Sequence, residues 1–189
     1  MKKRIAIFAS GSGSNAENIA RYFAQNEKIE ISLIVSNKND AYVLQRAENL
    51  GIPAVVVTGK EMNDSERLLS TLKAYDINFI VLAGYLLKIP AYLIEAFPHA
   101  IVNIHPALLP DFGGKGMYGD NVHKAVVAAG KRESGITIHF VNENYDEGAI
   151  IFQEKCEVLP SDTYKEVAEK VHTLEYAHFP EVIKRICEA

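Results

Sequence analysis

Asn103 and His105 bracket Ile104 in the stretch NIHPALLP, residues 103–110. At a spacing of two on an extended backbone, both side chains point the same way. An amide can donate to an oxygen that gains negative charge during a reaction, and an imidazole can supply a proton or a charge-assisted bond. The pair follows the apolar run Ala100-Ile101-Val102, so it falls where a buried strand ends. Pro106 withholds its own N–H from sheet pairing and keeps His105 extended. A plain polar strand end is the competing explanation. A carboxylate would sharpen the chemical one, by orienting the ring and favouring its protonated form. The segment NENYDEG, residues 142–148, offers Glu143, Asp146 and Glu147. Spacing does not choose among the three, and a solvated acidic turn closed by Gly148 accounts for them equally well.

A second chemical feature is SGSGSNA, residues 10–16. Its glycines let a backbone approach a ligand closely, and the free N–H groups of a helix N-terminus suit an anion such as phosphate. Gly11, Gly13 and Ala16 satisfy the loose dinucleotide pattern G-x-G-x-x-G/A. That pattern also asks for an acid at the end of the second strand, where Ser36 and Asn37 stand instead. NAD is therefore disfavoured, while a phosphate-bearing ligand stays attractive. A tight turn capped by Asn15 explains the loop without any ligand. G-x-x-x-x-G-K-[ST], G-x-S-x-G and H-E-x-x-H are all absent, so a P-loop NTPase, a nucleophile-elbow hydrolase and a zinc protease are not indicated. His99, His123, His139, His172 and His178 are scattered along the chain and read as structural or surface histidines rather than a metal site.

The elements that must position these groups alternate between strand and helix. RIAIFA (4–9), EISLIVS (30–36), PAVVV (53–57), INFIVLA (77–83) and AIVNI (100–104) read as strands. Between them lie helices over Asn15–Gln25, 41–51, 64–75 and Pro90–Phe97, with Asp40 and Asp64 as capping residues. This rhythm implies a doubly wound, mostly parallel, Rossmann-like α/β sheet. Its ligand edge, at the carboxyl ends of the strands, then carries both the glycine loop and Asn103 with His105. After a loop over 105–120 and a short helix NVHKAVVAAG, the character changes. SGITIHFVN (134–142) and GAIIFQEKCEV form an antiparallel strand pair, which brings the strand count to seven. A long helix from Thr163 to Cys187 follows, opened by a Thr163…Glu166 capping box and kinked or broken at Pro180.

The bulk properties agree with one soluble domain over residues 1–189. The 189 residues are 48% apolar and 23% charged, enough to bury a core. The net charge of −4 argues against a nucleic-acid-coating surface. Met1-Lys2-Lys3-Arg4 is followed by an apolar run too short for a signal core or membrane span. Two cysteines, Cys156 and Cys187, outside any metal spacing fit a reducing cytoplasm.

Taken in order, SGSGSN, VLAGYLLKIP, NIHPALLP, GITIHFVNENYDEGAII and HTLEYAHFP resemble the phosphoribosylglycinamide formyltransferase family over residues 4–183. The Asn-x-His-Pro segment with a later aspartate is common to folate-dependent formyltransferases. The glycine loop and the Glu175-x-Ala177 segment point to the glycinamide ribonucleotide branch. The resemblance implies formyl transfer from the cosubstrate 10-formyltetrahydrofolate to the amine of glycinamide ribonucleotide, in purine biosynthesis, without ATP or metal. It implies that Asn103, His105 and Asp146 are catalytic: Asn103 donating to the oxyanion, protonated His105 stabilising it, and Asp146 raising the His105 pKa and helping to relay a proton through a water held by Thr137. It assigns Gly11, Ser12, Gly13, Ser14, Asn15, His172 and Glu175 to the ribonucleotide. Leu86, Leu87, Lys88 and Ile89, with Asn142, Glu143, Asn144, Tyr145, Asp146 and Asn103, would line the folate pocket, and Lys60 would stand near the folate tail. The N-terminal half would bind the phosphate and the C-terminal half the folate. Partners would be these small molecules alone, with neither nucleic acid nor membrane, and a homodimer is compatible. One segment departs from the family pattern: DFGGKGMYGDNVHKAV, after the Leu-Leu-Pro, is longer and richer in glycine. Another amine acceptor, a folate-deformylating hydrolase, and a phosphate-binding module without catalysis are the competing functions.

Overall fold

The computed structural model describes residues 2–189. Seven strands form one sheet in the order β3-β2-β1-β4-β5-β6-β7. β1 (Lys3–Phe8), β2 (Ile29–Ser36), β3 (Ala54–Val56), β4 (Phe79–Leu82) and β5 (Ile101–His105) pair in parallel. β6 (Glu133–Phe140) and β7 (Ile150–Glu157) are antiparallel to each other, and β6 is antiparallel to β5. The crossovers are α1 (Ser14–Phe23), α2 (Tyr42–Leu50), α3 (Ser65–Ala74) and α4 (Ala91–Ala96), with a single 3-10 turn at Glu61–Asn63. α5 (Asp120–Ala128) precedes β6, and α6 (Tyr164–Glu188) ends the chain.

The unbroken hydrophobicity of the central strands has a direct cause. Ile5 and Ile7 of β1 face one core with Ile19 of α1 and Val167, Val171 and Phe179 of α6. Ala6 and Phe8 face a second core with Leu68 and Leu72 of α3 and Leu93 of α4. Both faces of the strand are covered, so the period-two alternation of an exposed sheet is lost. Each large side chain so buried contributes about 1.5–3 kcal/mol before entropy is counted.

Several local expectations change. Asp64 caps α3, accepting from the Arg67 N–H at 3.1 Å. Asp40 caps nothing: Ala41 is the N-cap of α2 and makes no side-chain cap bond. Asn15 lies inside α1 rather than at its cap, which is Gly13. The capping box of Thr163 and Glu166 is present. α6 nevertheless runs through Pro180 as one helix. Proline has no N–H for the carbonyl four residues back; that carbonyl, on Tyr176, accepts instead from Asn18 Nδ2 at 3.0 Å. A side chain of α1 thus replaces the missing backbone bond and ties the two helices together. Among the described residues no helix is long and apolar enough to cross a membrane.

The chain builds outward from β1 to β3, then returns to β4 beside β1. At that reversal the loops leaving β1 and β4 diverge and open a crevice at the carboxyl ends of the strands. The two loops are stitched at their base, where Ser10 N–H donates to Gly84 O at 3.0 Å and Leu86 N–H to Ser10 Oγ at 2.9 Å.

Candidate active site

The crevice holds a cavity of about 500 Å³ lined by residues 10–15, the loop after β4, the end of β5, residues 114–120, and His123, Tyr145, Asp146, His172 and Glu175. At one end lies the N-terminus of α1. Gly13 there has φ 74°, and a Cβ on it would fall 2.4 Å from Val43 Cγ2 and 2.8 Å from Val43 Cα. Only glycine lets the loop press so closely on α2. Arg46 of α2 braces the loop from behind, donating to Ser12 O at 2.8 Å and pairing with Glu17. The first-turn N–H groups of α1 have no intrahelical partner, and Gly11, Ser12, Gly13, Ser14 and Asn15 all face the cavity.

α6 closes this end. Glu175, buried, accepts from Asn15 Nδ2 at 2.9 Å and pairs with His172 Nδ1 at 2.8 Å. The bond to Glu175 raises the His172 pKa, against the opposing effect of burial. Beside them, Asn15 Oδ1 and His123 Nδ1 are buried without a partner among the described residues. Burial, with the neighbouring His172 charge, pushes His123 below its ordinary value. Two stranded polar atoms at the wall of one cavity are costly unless a ligand meets them.

At the other end stand Asn103, His105 and Asp146. His105 Nδ1 lies 3.5 Å from Asp146 Oδ2, while its Nε2 donates to the Phe112 carbonyl at 2.8 Å. A carbonyl only accepts, so the hydrogen of the neutral ring sits on Nε2 and the basic lone pair of Nδ1 faces Asp146. Asp146, at φ 58°, also accepts from Gly114 N–H at 2.9 Å. Asn103 Nδ2 is 3.1 Å from His139 Nε2, and His139 Nε2 is 3.7 Å from Asp146 Oδ1. Burial pushes His105 below its ordinary value and outweighs the pull of Asp146. Asp146 does pull the His105 pKa upward, as expected, but the expectation of a protonated ring is corrected: burial costs the charged form more than Asp146 returns, and the resting ring is neutral. For Asp146, burial alone would raise the pKa, but the neighbouring His139 and His105 rings and the Gly114 N–H together hold it low.

The other expected residues divide. Leu87, Lys88, Ile89, Asn142, Asn144 and Tyr145 line a second, smaller hollow of about 70 Å³ that shares Asn103 and Asp146 with the main cavity. Ile89 is at the same time a core residue. Leu86 lines the main cavity instead, and its N–H is spent on Ser10. Glu143 is exposed and lines neither hollow, and Lys60 is exposed on the turn before α3. Thr137 is fully buried, donating to Ala107 O at 2.7 Å and accepting from Leu109 N–H at 3.0 Å and Gln153 Nε2 at 2.9 Å. One donor and two acceptors are then used, so the hydroxyl has nothing left to hold a water. Both halves of the chain contribute to both cavities: Tyr85 and residues 87–89 of the N-terminal half line the smaller hollow, and His172 and Glu175 of the C-terminal half line the main cavity with residues 10–15.

Sequence reasoning missed three participants. His123 and His139, taken as structural or surface residues, are buried and line the cavities. The Phe112 carbonyl belongs to the glycine-rich departure, and its residue carries φ 56°. For His139 a signal was available: it pairs across the sheet with Asn103, a partner that strand register would have given. Among the described residues no group of three or more His, Cys, Asp or Glu is placed to hold a metal ion.

The geometry agrees with similarity found over nearly the whole chain. A family profile described as formyl transferase matches residues 3–183. A protein of Arabidopsis thaliana named "Phosphoribosylglycinamide formyltransferase, chloroplastic" is 44% identical over 99% of this chain. The chain spans less than two thirds of that relative and of its Vigna unguiculata counterpart, 66% and 62%. It spans 94% of a Bacillus subtilis "Phosphoribosylglycinamide formyltransferase" that is 35% identical over 97% of this chain. The solved structure of "glycinamide ribonucleotide transformylase 1" from Geobacillus kaustophilus superposes with TM-score 0.90 at 33% identity, covering 99% of this chain and 100% of the other. With a matching profile over almost its full length, and with Asn103, His105 and Asp146 gathered at one cavity, the chain belongs to the formyl transferase family.

Proposed function

We propose that this chain transfers the formyl group of 10-formyltetrahydrofolate to the primary amine of glycinamide ribonucleotide, a step of purine biosynthesis, without ATP or metal. The observation that carries the proposal is the two-ended cavity. An anion-binding helix N-terminus and Glu175 lie at one end, and an amide, an imidazole and a carboxylate at the other. The formyltransferase names of the relatives support the same reaction.

The ribonucleotide phosphate takes the open N–H groups of residues 11–15, where helix and dipole favour negative charge. Donors of its ribose or glycinamide part meet Glu175 and the stranded Asn15 Oδ1. The smaller hollow, with Leu82, Leu87, Ile89 and Val141 as an apolar wall and Asn142, Asn144 and Tyr145 at its rim, suits a flat ring with polar edges. It receives a pterin once the 142–148 loop moves outward. When bound, 10-formyltetrahydrofolate supplies a formyl group on a nitrogen able to leave.

Asn103 Nδ2 donates to the formyl oxygen as it gains charge. His105 Nδ1, neutral at rest, accepts the proton that the attacking amine must shed, and Asp146 stabilises the imidazolium so formed. The same proton is then returned to the departing nitrogen, so the ring ends as it began. Holding His105 neutral is thus useful: a base must be unprotonated to act. We further assign the whole of residues 1–189 to one formyltransferase domain. We place it in the cytoplasm on its two free thiols, with small molecules as its partners.

The test is direct. Purified protein is incubated with 10-formyltetrahydrofolate and glycinamide ribonucleotide, with EDTA and without nucleotide triphosphate, and release of tetrahydrofolate is followed. Turnover supports the assignment; turnover only with a different amine, or only with water, sinks it. Sedimentation of the same sample decides between monomer and homodimer.

A further inference from the structure

His139 has no part in the steps above, yet it is buried between two residues that do. It stands directly across the sheet from Asn103, where antiparallel partners bring their side chains together. The β6–β7 register shifts between Ile138 and His139, an irregularity of the kind that re-aims a side chain beside an active site. Its Nδ1 lies 2.9 Å from Phe140 O, and its Nε2 lies 3.1 Å from Asn103 Nδ2 and 3.7 Å from Asp146 Oδ1. Gly148 makes the first of these contacts feasible. A Cβ there would fall 1.7 Å from Phe140 O and 3.4 Å from His139 Nδ1.

These distances fix hydrogens. A carbonyl only accepts, so Nδ1 of His139 carries the proton and Nε2 of the neutral ring presents a lone pair. Asn103 must then turn its NH₂, not its oxygen, toward the ring. The two ends of an amide are nearly equal in shape, so packing alone does not choose between them. The choice matters, because a flipped amide would set an oxygen against the charge that develops on the formyl oxygen. We propose that His139 is a positioning residue, whose neutral Nδ1–H tautomer locks the Asn103 amide so that its second N–H hydrogen is left to stabilise the formyl oxygen.

The proposal rests on Asn103 acting as oxyanion donor. The competing state is a second proton on Nε2, directed at Asp146 Oδ1. In that state the ring would donate, and the amide would turn its oxygen inward. The geometry favours the lock: 3.1 Å to Asn103 is a hydrogen bond and 3.7 Å to Asp146 is not.

The experiment compares His139→Leu and His139→Gln, each alone and combined with Asn103→Ala, with NMR of the unliganded protein. His139→Leu should lower kcat about a hundredfold while leaving the KM for the ribonucleotide within about twofold. His139→Gln, which can return an acceptor near Nε2, should recover much of the loss. In the Asn103→Ala background, His139→Leu should cost less than about threefold more, because its partner is already gone. Nitrogen spectra of the parent at neutral pH should show Nδ1 protonated and Nε2 bare. The Asn103 side-chain amide signal, identified by its loss in Asn103→Ala, should shift in His139→Leu. Multiplying losses in the double variant would overturn the proposal, and so would an imidazolium or an Nε2–H tautomer in the parent spectrum. If His139→Leu fails to fold, the parent spectrum and the Gln variant still decide. If the parent itself lacks formyl transfer, the reaction assignment fails, while the spectra still decide the lock.

Discussion

Asp146→Asn removes one charge and little else. The amide has the shape of the carboxylate, and its oxygen can keep the Gly114 N–H bond. What goes is the negative charge 3.5 Å from His105 Nδ1. At an effective dielectric constant of about 20, that charge attracts an imidazolium by about 5 kcal/mol. Carboxylates beside cationic groups typically move a pKa by about 1–3 units, or roughly 1.4–4 kcal/mol. The Asp146 side chain is 12% exposed, so solvent screening places the value near the middle of that range, about 2–3 kcal/mol. If His105 carries its full charge in the transition state, kcat falls about 30- to 200-fold. Stopped-flow or steady-state measurement of tetrahydrofolate release gives kcat, and calorimetry gives ribonucleotide affinity. That affinity should hold within about twofold, because the phosphate end is untouched. A titration of His105 by NMR should show its pKa lower still than in the parent. A kcat within about threefold of the parent, or an unmoved His105 titration, would refute the reasoning.

Other expectations follow from the same contacts. The parent acid limb should fall below the ordinary imidazole value of about 6.5, because burial lowers the His105 pKa and the base stays unprotonated until the pH drops through that lowered value; a kcat already halved at pH 6.5 or above would contradict it. Glu175→Gln should weaken ribonucleotide binding about 10- to 100-fold, since a charged acceptor is lost next to Asn15. The same change should lower the His172 pKa. In the parent, that raised pKa contributes stability that is full below about pH 6.5 and fades as the pH rises through the native value, so denaturation curves of the variant should lose this slope. Thr137→Val should cost about 1–3 kcal/mol and about 3–8 °C in Tm, by stranding the Leu109 N–H, yet leave kcat within about threefold; a collapse of kcat at unchanged Tm would return Thr137 to the water-holding role. Gly113→Ala places a Cβ 2.5 Å from Leu109 Cδ2 and 3.3 Å from Asp146 Cβ, and should lower kcat about tenfold by pushing Asp146 off His105.

The fold was readable in the sequence because each of its signals is local. Runs such as EISLIVS and INFIVLA declare buried strands within a few residues, and the glycine loop after the first strand marks the helix that follows. Their alternation then leaves few topologies open. The errors arose where a local rule met a tertiary substitute. Pro180 lacks an N–H, and any sequence rule ends or bends the helix there. Asn18 of α1, 158 residues before Tyr176 in the chain, supplies a donor to the Tyr176 carbonyl and the helix continues. Asp40 fits a capping pattern, yet the chain begins α2 at Tyr42 with Ala41 extended. Its side chain is never needed.

The site was readable only in part, for a related reason. Asn103 and His105 share a strand face by period alone, but the sign of the His105 shift depends on how deeply the ring is buried and what covers it. The Phe112 carbonyl, in the one segment whose length and glycine content follow no simple period, takes the Nε2 hydrogen of that ring. Adding Asp146 to a solvated imidazole gives a raised pKa, and the Phe112 carbonyl pulls the same way. Burial of the ring outweighs both, and the opposite sign results. The same device recurs at His139, where the Phe140 carbonyl commits the other ring nitrogen. Two backbone carbonyls thus assign two tautomers in opposite senses, leaving Nδ1 of His105 free to take a proton and Nε2 of His139 free to hold an amide. Side-chain types announce which reactions are available, but the backbone groups that select the tautomer are identical at every position. They become visible only when the loops are in place.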